Sequence, residues 1–373
     1  MLRKYCLLVI LFFACTCLLA QEVKMQALLD SLRIAGNFPG LSVAIIKEKE
    51  PLQAFASGFN DKEKNITLSV NDRMLQGSVG KTYVSAIALH LVRDGKLQLD
   101  NKVSFYLGKQ DWYHRIPNAE AITVRMLMNH TSGVMRYEFK LDFLKDLTAQ
   151  PEKVWNPEEL VRYVLDEKAP FEAGDGWDYS DTNYILLGMI LEQITGRTYY
   201  ELLSSEILVP YKLNNTFPSG SRRLKGLAQG YAGESNEFGG RNKMIDENGM
   251  FIINPQFEWT GGGVYSTPGD LAKWGKLLYE GKVIDTNLLL SSAVPAKLGR
   301  DAKYGLGVII RPTVLGQCYG HSGFFPGYMT ELAYFPSFKM VIALQCNSSD
   351  FKNLKLSPAR CLIEIAKLAT GSN

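Results

Sequence analysis

"YGLGVIIRPTVLGQCYGHSGFFPGYMTELAYFPSFKMVIALQCNS", residues 304–348, is the stretch on which the fold turns. Its apolar runs "YGLGVIIRP", "QCYGHSG", "TELAYFPS" and "KMVIALQCNS" follow one another with Gly and Pro between them, the pattern of successive antiparallel strands joined by tight turns. The other end of the chain has the same texture. There "LSVAIIKEKEPLQAFASGF" (41–59) holds two β-rich runs about a charged, Pro-containing turn, behind a helical pattern in "MQALLDSLRIAG" (25–36). After the last strand, "SPARCLIEIAKLATG" (357–371) reads as a helix with Ser357 as its cap, Pro358 at the first position and Gly371 past its end.

From Ser78 to about Lys212 the helical period dominates. "NPEELVRYVLDEK" (156–168) has Asn156 as cap with Pro157 and Glu159 behind it, and "DTNYILLGMILEQITG" (181–196) ends at Gly196. A further helix, "TPGDLAKWGKLLYEG" (267–281), starts at Thr267-Pro268. The expected class is therefore α+β. One antiparallel sheet is built from both chain ends and flanked by helices (about 21–70 and 255–373), beside a mostly helical lobe (about 71–254). Residues 21–373 read as one unit of two lobes, and the cleft between lobes is the natural place for a site.

Ahead of this unit, Arg3-Lys4 precede an uncharged apolar run, Tyr5 to Ala20, and then Glu22-Val23-Lys24. That is the pattern of a secretory signal peptide cleaved after Ala20, and the run is short for a membrane span. The expectation is a secreted or periplasmic protein. Of 41 basic and 38 acidic residues, removal of Arg3 and Lys4 leaves the two signs nearly balanced, so no basic stripe remains for nucleic acid. Cys318, Cys346 and Cys361 survive cleavage, an odd number that gives no disulfide framework although one pair could form. With no Cys-x-x-Cys, no His-Glu-x-x-His and four scattered histidines, neither a metal nor a cofactor is expected.

Three places carry chemistry. "GHSGFFPGY" (320–328) resembles a G-x-S-x-G nucleophile elbow, but Phe324 stands where that turn needs glycine. Ser78-Val79-Gly80-Lys81 opens a long apolar helix, and at i and i+3 the Ser78 hydroxyl and the Lys81 amine face the same way, near free backbone N–H groups. A hydroxyl beside a base at a helix start suits nucleophilic catalysis, whereas the bland reading is a capping serine and a surface lysine. Ser349-Asp350-Phe351-Lys352 has the same spacing but reads as a solvated loop. Tyr179, in the polar turn before a helix, and His321-Ser322-Gly323, at the end of a strand, each have an ordinary structural reading when taken alone.

Together, and in this order, they resemble the serine β-lactamase and penicillin-binding protein family, in its class C and DD-carboxypeptidase-like branch. Ser78 to Lys81 matches its Ser-x-x-Lys motif, Tyr179-Ser180-Asp181 its Tyr-x-Asn, and His321-Ser322-Gly323 its Lys/His-Thr/Ser-Gly. The connecting stretches "ITVRMLMNHTSGV", "GGGVYSTPGDLAKWGKLL" and "YGLGV" are similar too. The resemblance implies acyl transfer through Ser78, with Lys81 and Tyr179 sharing the proton work at lowered pKa values. It implies an oxyanion hole from the backbone N–H groups of Ser78 and Phe324, and substrate contacts at Asp181, His321, Ser322 and Gly323. Asp181 departs from the usual asparagine and would add a negative charge beside Lys81. His321 in place of lysine is similar to DD-carboxypeptidase, D-peptidase and esterase-like members. The implied function is a hydrolase of cell-wall-type D-peptides, with peptidoglycan as a partner. A β-lactamase or esterase, or a penicillin-binding module without turnover, is the alternative.

Overall fold

A computed structural model describes residues 21–236 and 238–372; the signal-peptide expectation for residues 1–20 lies outside them. Helix α1 covers 21–36 and leads into strands β1 (Gly40–Ile46), β2 (Gln53–Asp61) and β3 (Ile66–Thr67). The C-terminal part adds β7 (Val294–Pro295), β8 (Lys303–Tyr304), β9 (Ile309–Thr313), β10 (Gly316–Phe325), β11 (Tyr328–Phe335) and β12 (Met340–Cys346). These nine form one sheet in the order β3-β2-β1-β12-β11-β10-β9-β8-β7. The two chain ends meet where β1 pairs antiparallel with β12, Leu41 opposite Cys346 and Ile46 opposite Val341. A small second sheet joins β4 (Met74–Leu75), β5 (Thr216–Pro218) and β6 (Val264–Ser266).

The sheet is buried on both faces, which is why β1 and β12 read as unbroken apolar runs. Alternate side chains divide between two cores, as the pleat requires. Leu41, Val43 and Ile45 face one core with Ile342 and Leu344; there Leu29 of α1 and Ile365 of α5 (Pro358–Thr370) cover them. Ala44, Ile46, Val341 and Ala343 face the larger core beneath α4 (Pro268–Tyr279). Two helices carry the site: α2 (Lys81–Arg93) and α3 (Asp181–Thr195). Trp274 of α4 anchors α2, stacking on Tyr83 at 4.4 Å and donating to Thr82 Oγ1 at 2.8 Å.

The capping signals act as read. Ser357 accepts from Arg360 N, and Gly371 ends α5 at φ 69°. Asn156 and Glu159 form a reciprocal capping box, worth about 1 kcal/mol. The helix behind Asn156 stops early, at Arg162. Asp166 turns left-handed (φ 61°) and gives its N–H to Arg115 O, so the tail of "NPEELVRYVLDEK" leaves the helix. The three cysteines of residues 21–372 are buried free thiols, so no pair forms. No helix among the described residues is long and apolar enough to cross a membrane.

Candidate active site

Ser78 sits on a single 3-10 turn, Gly77–Gly80, that runs directly into α2. The turn packs on β10 backbone to backbone. A Cβ at Gly77 (φ 53°) would lie 2.3 Å from Phe324 O, and one at Gly323 would lie 1.8 Å from Gln76 O. Glycine is required at both positions for that approach. His321-Ser322-Gly323 does not lie at the end of its strand, because β10 continues to Phe325. It lies instead where β9 stops pairing, at Gly320, so the stretch from His321 onward is open on one side and the Ser78 turn comes against it.

Lys81 is fully buried, and its ammonium donates to three acceptors: Ser78 Oγ at 3.1 Å, the Asp181 carboxylate and Gly261 O. Three donors meet three acceptors, so the charged form is fully satisfied. Burial by itself pushes the Lys81 pKa down. The Asp181 charge and, after it, Tyr179 outweigh burial and hold the ammonium above its ordinary range. The Tyr179 hydroxyl is enclosed beside Ser78 and Lys81 without a completed hydrogen bond, and Lys81 Nζ lies 5.0 Å from its ring centroid. Burial pushes that phenol up to about 12 despite the Lys81 charge. The expected lowering of both pKa values is thus reversed in the resting site, by the Asp181 charge for Lys81 and by burial first for Tyr179.

His321 is buried and doubly bonded. Its Nε2 accepts from the Tyr304 hydroxyl at 2.8 Å, and its Nδ1–H donates to Ser322 O at 2.6 Å. Burial, with Lys81 next, lowers it to about 3, so it is a neutral imidazole. The Ser322 hydroxyl does not stand free: it donates to Glu331 and accepts from Arg311. Ser78, Tyr179, His321, Ser322, Gly323 and Phe324 line one cleft of about 440 Å³, with Lys81 and Asp181 beneath Ser78. Of the loop Ser349-Asp350-Phe351-Lys352, Phe351 and Lys352 are exposed as expected, whereas Ser349 is buried and its hydroxyl accepts from Gly327 N.

Several contributors had no readable signal. Arg136 pairs with Glu138 at 2.6 Å and stands 5.4 Å from the Tyr179 ring centroid. Burial and then the Asp181 charge, against Arg136, push Glu138 up to about 7, and burial with Asp181 raises Glu258 well above the carboxylate range. Neutral His130 packs 4.2 Å from the Tyr179 ring. Trp259, in the segment that presents Gly261 O to Lys81, is held at φ 37°, a strained place for a bulky residue. The Gly261-Gly262-Gly263 run was the one visible sign of a close approach: a Cβ at Gly262 would lie 2.3 Å from Gly77 O.

A mixed fold with a large antiparallel sheet and an enclosed Ser-Lys-Tyr group beside a strand defines a serine hydrolase of the β-lactamase and transpeptidase type. Residues 25–360 match the beta-lactamase family model, and the chain belongs to that family. It is 25% identical over 338 residues to penicillin-binding protein 4* of Bacillus subtilis (strain 168), covering 87% of this chain and 72% of that protein. It is 27% identical over 297 residues to a D-aminopeptidase of Brucella anthropi, covering 79% of this chain and 53% of that protein, so it spans about half of that relative's length. The fold is shared with a D-stereospecific amidohydrolase from a Streptomyces species, at TM-score 0.79 and 23% identity over 94% of this chain and 99% of the other.

Proposed function

We propose that this chain hydrolyses amide or peptide bonds of D-amino-acid compounds through an acyl-enzyme at Ser78. The observation that carries the reading is the Lys81 ammonium 3.1 Å from Ser78 Oγ with the Tyr179 hydroxyl enclosed beside both, in a family whose relatives include a D-aminopeptidase. In this reading Ser78 Oγ attacks the carbonyl carbon while Tyr179, as phenolate, takes its proton. The tetrahedral oxyanion lies against the N–H groups of Ser78 and Phe324. The proton then passes to the leaving nitrogen, the C–N bond breaks, and water repeats the sequence on the acyl ester. Lys81, with its three acceptors, is the fixed cation that favours the phenolate.

Asp181, His321, Ser322 and Gly323 frame the substrate. The catalytic unit is residues 21–373, its two lobes being about 21–70 with 255–373 and about 71–254, and export rests on the apolar run that follows Arg3-Lys4. The test is intact mass after a fluorophosphonate or penicillin, together with steady-state rates on a D-amino-acid amide, a D-alanyl peptide, an acyl ester and a chromogenic cephalosporin. A covalent adduct and D-amide turnover, both lost in Ser78→Ala, are expected. An adduct without turnover would favour a binding module, and a strong preference for the cephalosporin would make the enzyme a β-lactamase.

A further inference from the structure

Ser322, Glu331 and Arg311 form a closed hydrogen-bonded set in the wall of the same cleft that Ser78 lines. Ser322 and Glu331 stand opposite one another on β10 and β11, and Ser322 Oγ donates to Glu331 Oε2 at 2.6 Å. Arg311, from β9, donates through Nη2 to Ser322 Oγ at 2.8 Å and holds Nη1 3.5 Å from Glu331 Oε2. The one proton of the hydroxyl is already given to a carboxylate, and the Arg311 fork is divided between the two partners. A substrate carboxylate arriving at Ser322 would find the hydroxyl proton already given and the Arg311 charge matched by Glu331, and would have to displace or face that like charge in a partly dry site.

The cleft's two arginines are both paired, Arg311 with Glu331 at 3.5 Å and Arg136 with Glu138 at 2.6 Å. His321 is a neutral imidazole whose N–H is bonded to Ser322 O. Lys297, the one lysine lining the cleft among the described residues, is exposed, where water screens it.

We propose that the Ser322–Glu331–Arg311 set selects against substrates that carry a carboxylate on the end lying along Ser322, so that leaving groups bear no anion: ammonia from an amide, an alcohol or phenol from an ester, or an amine that bears an ammonium. Glu331 is then a specificity residue that works by repulsion as much as by contact. The inference rests on the acyl-transfer reading above.

The experiment uses the phenyl, 3-carboxyphenyl and 3-(aminomethyl)phenyl esters of N-acetyl-D-alanine, each rate divided by its hydroxide-catalysed rate. Wild type is expected to use the carboxylate ester at least tenfold less well in kcat/KM than the other two, chiefly through KM. Glu331→Gln is expected to narrow the gap, again in KM for the carboxylate ester. Equal use of the three esters by the wild type overturns the inference while leaving acyl transfer intact, and so does a folded Glu331→Gln with the wild-type ratio. Turnover of none of the three strikes the acyl-transfer reading itself, and this inference falls with it.

Discussion

The Tyr304 hydroxyl donates to His321 Nε2 across 2.8 Å, and that bond leaves the imidazole of the third motif with no place for a second proton. Burial first, and then the Lys81 charge, lower its affinity, so that His321 binds its proton near pH 3 in the folded chain and near 6.5 in the unfolded one. Between those values the unfolded state holds more protons, so stability rises with pH and is lost as pH falls from about 6.5. His130, also lowered well below its ordinary value by burial first, acts in the same direction. The raised carboxyls of Glu138 and Glu258 act in the opposite direction over the same range, so the readout is a difference: between pH 6.5 and 4.5 His321→Gln should lose less Tm than the wild type, and equal losses would contradict the neutral-imidazole assignment.

Asp181 raises both Lys81 and Tyr179. If the phenolate of Tyr179 is the base, kcat/KM should climb through the alkaline range, because the phenol with pKa about 12 is almost wholly protonated at neutrality. Asp181→Asn removes the charge that raises both groups and should move that rising limb to lower pH by about one unit. A profile that stays in place would mean that the carboxylate does not set the proton affinity of the pair.

Gly323→Ala puts a methyl 1.8 Å from Gln76 O, where only backbone movement could relieve it. Such movement pulls the Ser78 turn away from β10. The expected result is a loss of kcat/KM of about a hundredfold with slower fluorophosphonate labelling. Gly220→Ala, whose nearest atom is the flexible Tyr200 ring at 3.6 Å, is the control and should leave labelling near the wild-type rate.

Ser78→Ala should abolish turnover, whereas Ser322→Ala should lower it modestly, since Ser322 is engaged with Glu331 and Arg311. Parallel kcat/KM measurements decide this, and the reverse order of severity would overturn the placement of the nucleophile.

Most of the sheet and the helix termini were legible because their causes are local: the apolar runs of β1 and β12, the Asn156 box, the cap at Ser357. The Ser78–Lys81 contact was legible for the same reason, as a spacing of three across a helical start. The rest of the site was not. Arg136, Glu258, Tyr304 and the Gly261 carbonyl come from separate segments that only tertiary packing joins, and none has a spacing relation to Ser78. Glu331 looks like an ordinary outward polar position in "YMTELAYF"; its place opposite Ser322 depends on hairpin register. The pKa directions were misjudged because they depend on depth of burial and on Asp181 lying against Lys81.

The backbone seam between the Ser78 turn and β10 sets a time as well as a place for the chemistry. Its two sides lie some 245 residues apart in the chain, and the strand carrying Gly323 pairs with β11, which pairs in turn with β12, the last strand of the sheet in chain order. A chain made only as far as Ser78, Lys81 and Tyr179 lacks the β10 wall of the cleft, with His321, Ser322 and Gly323. Pairing over so long a separation is of the non-local kind that forms more slowly than helices.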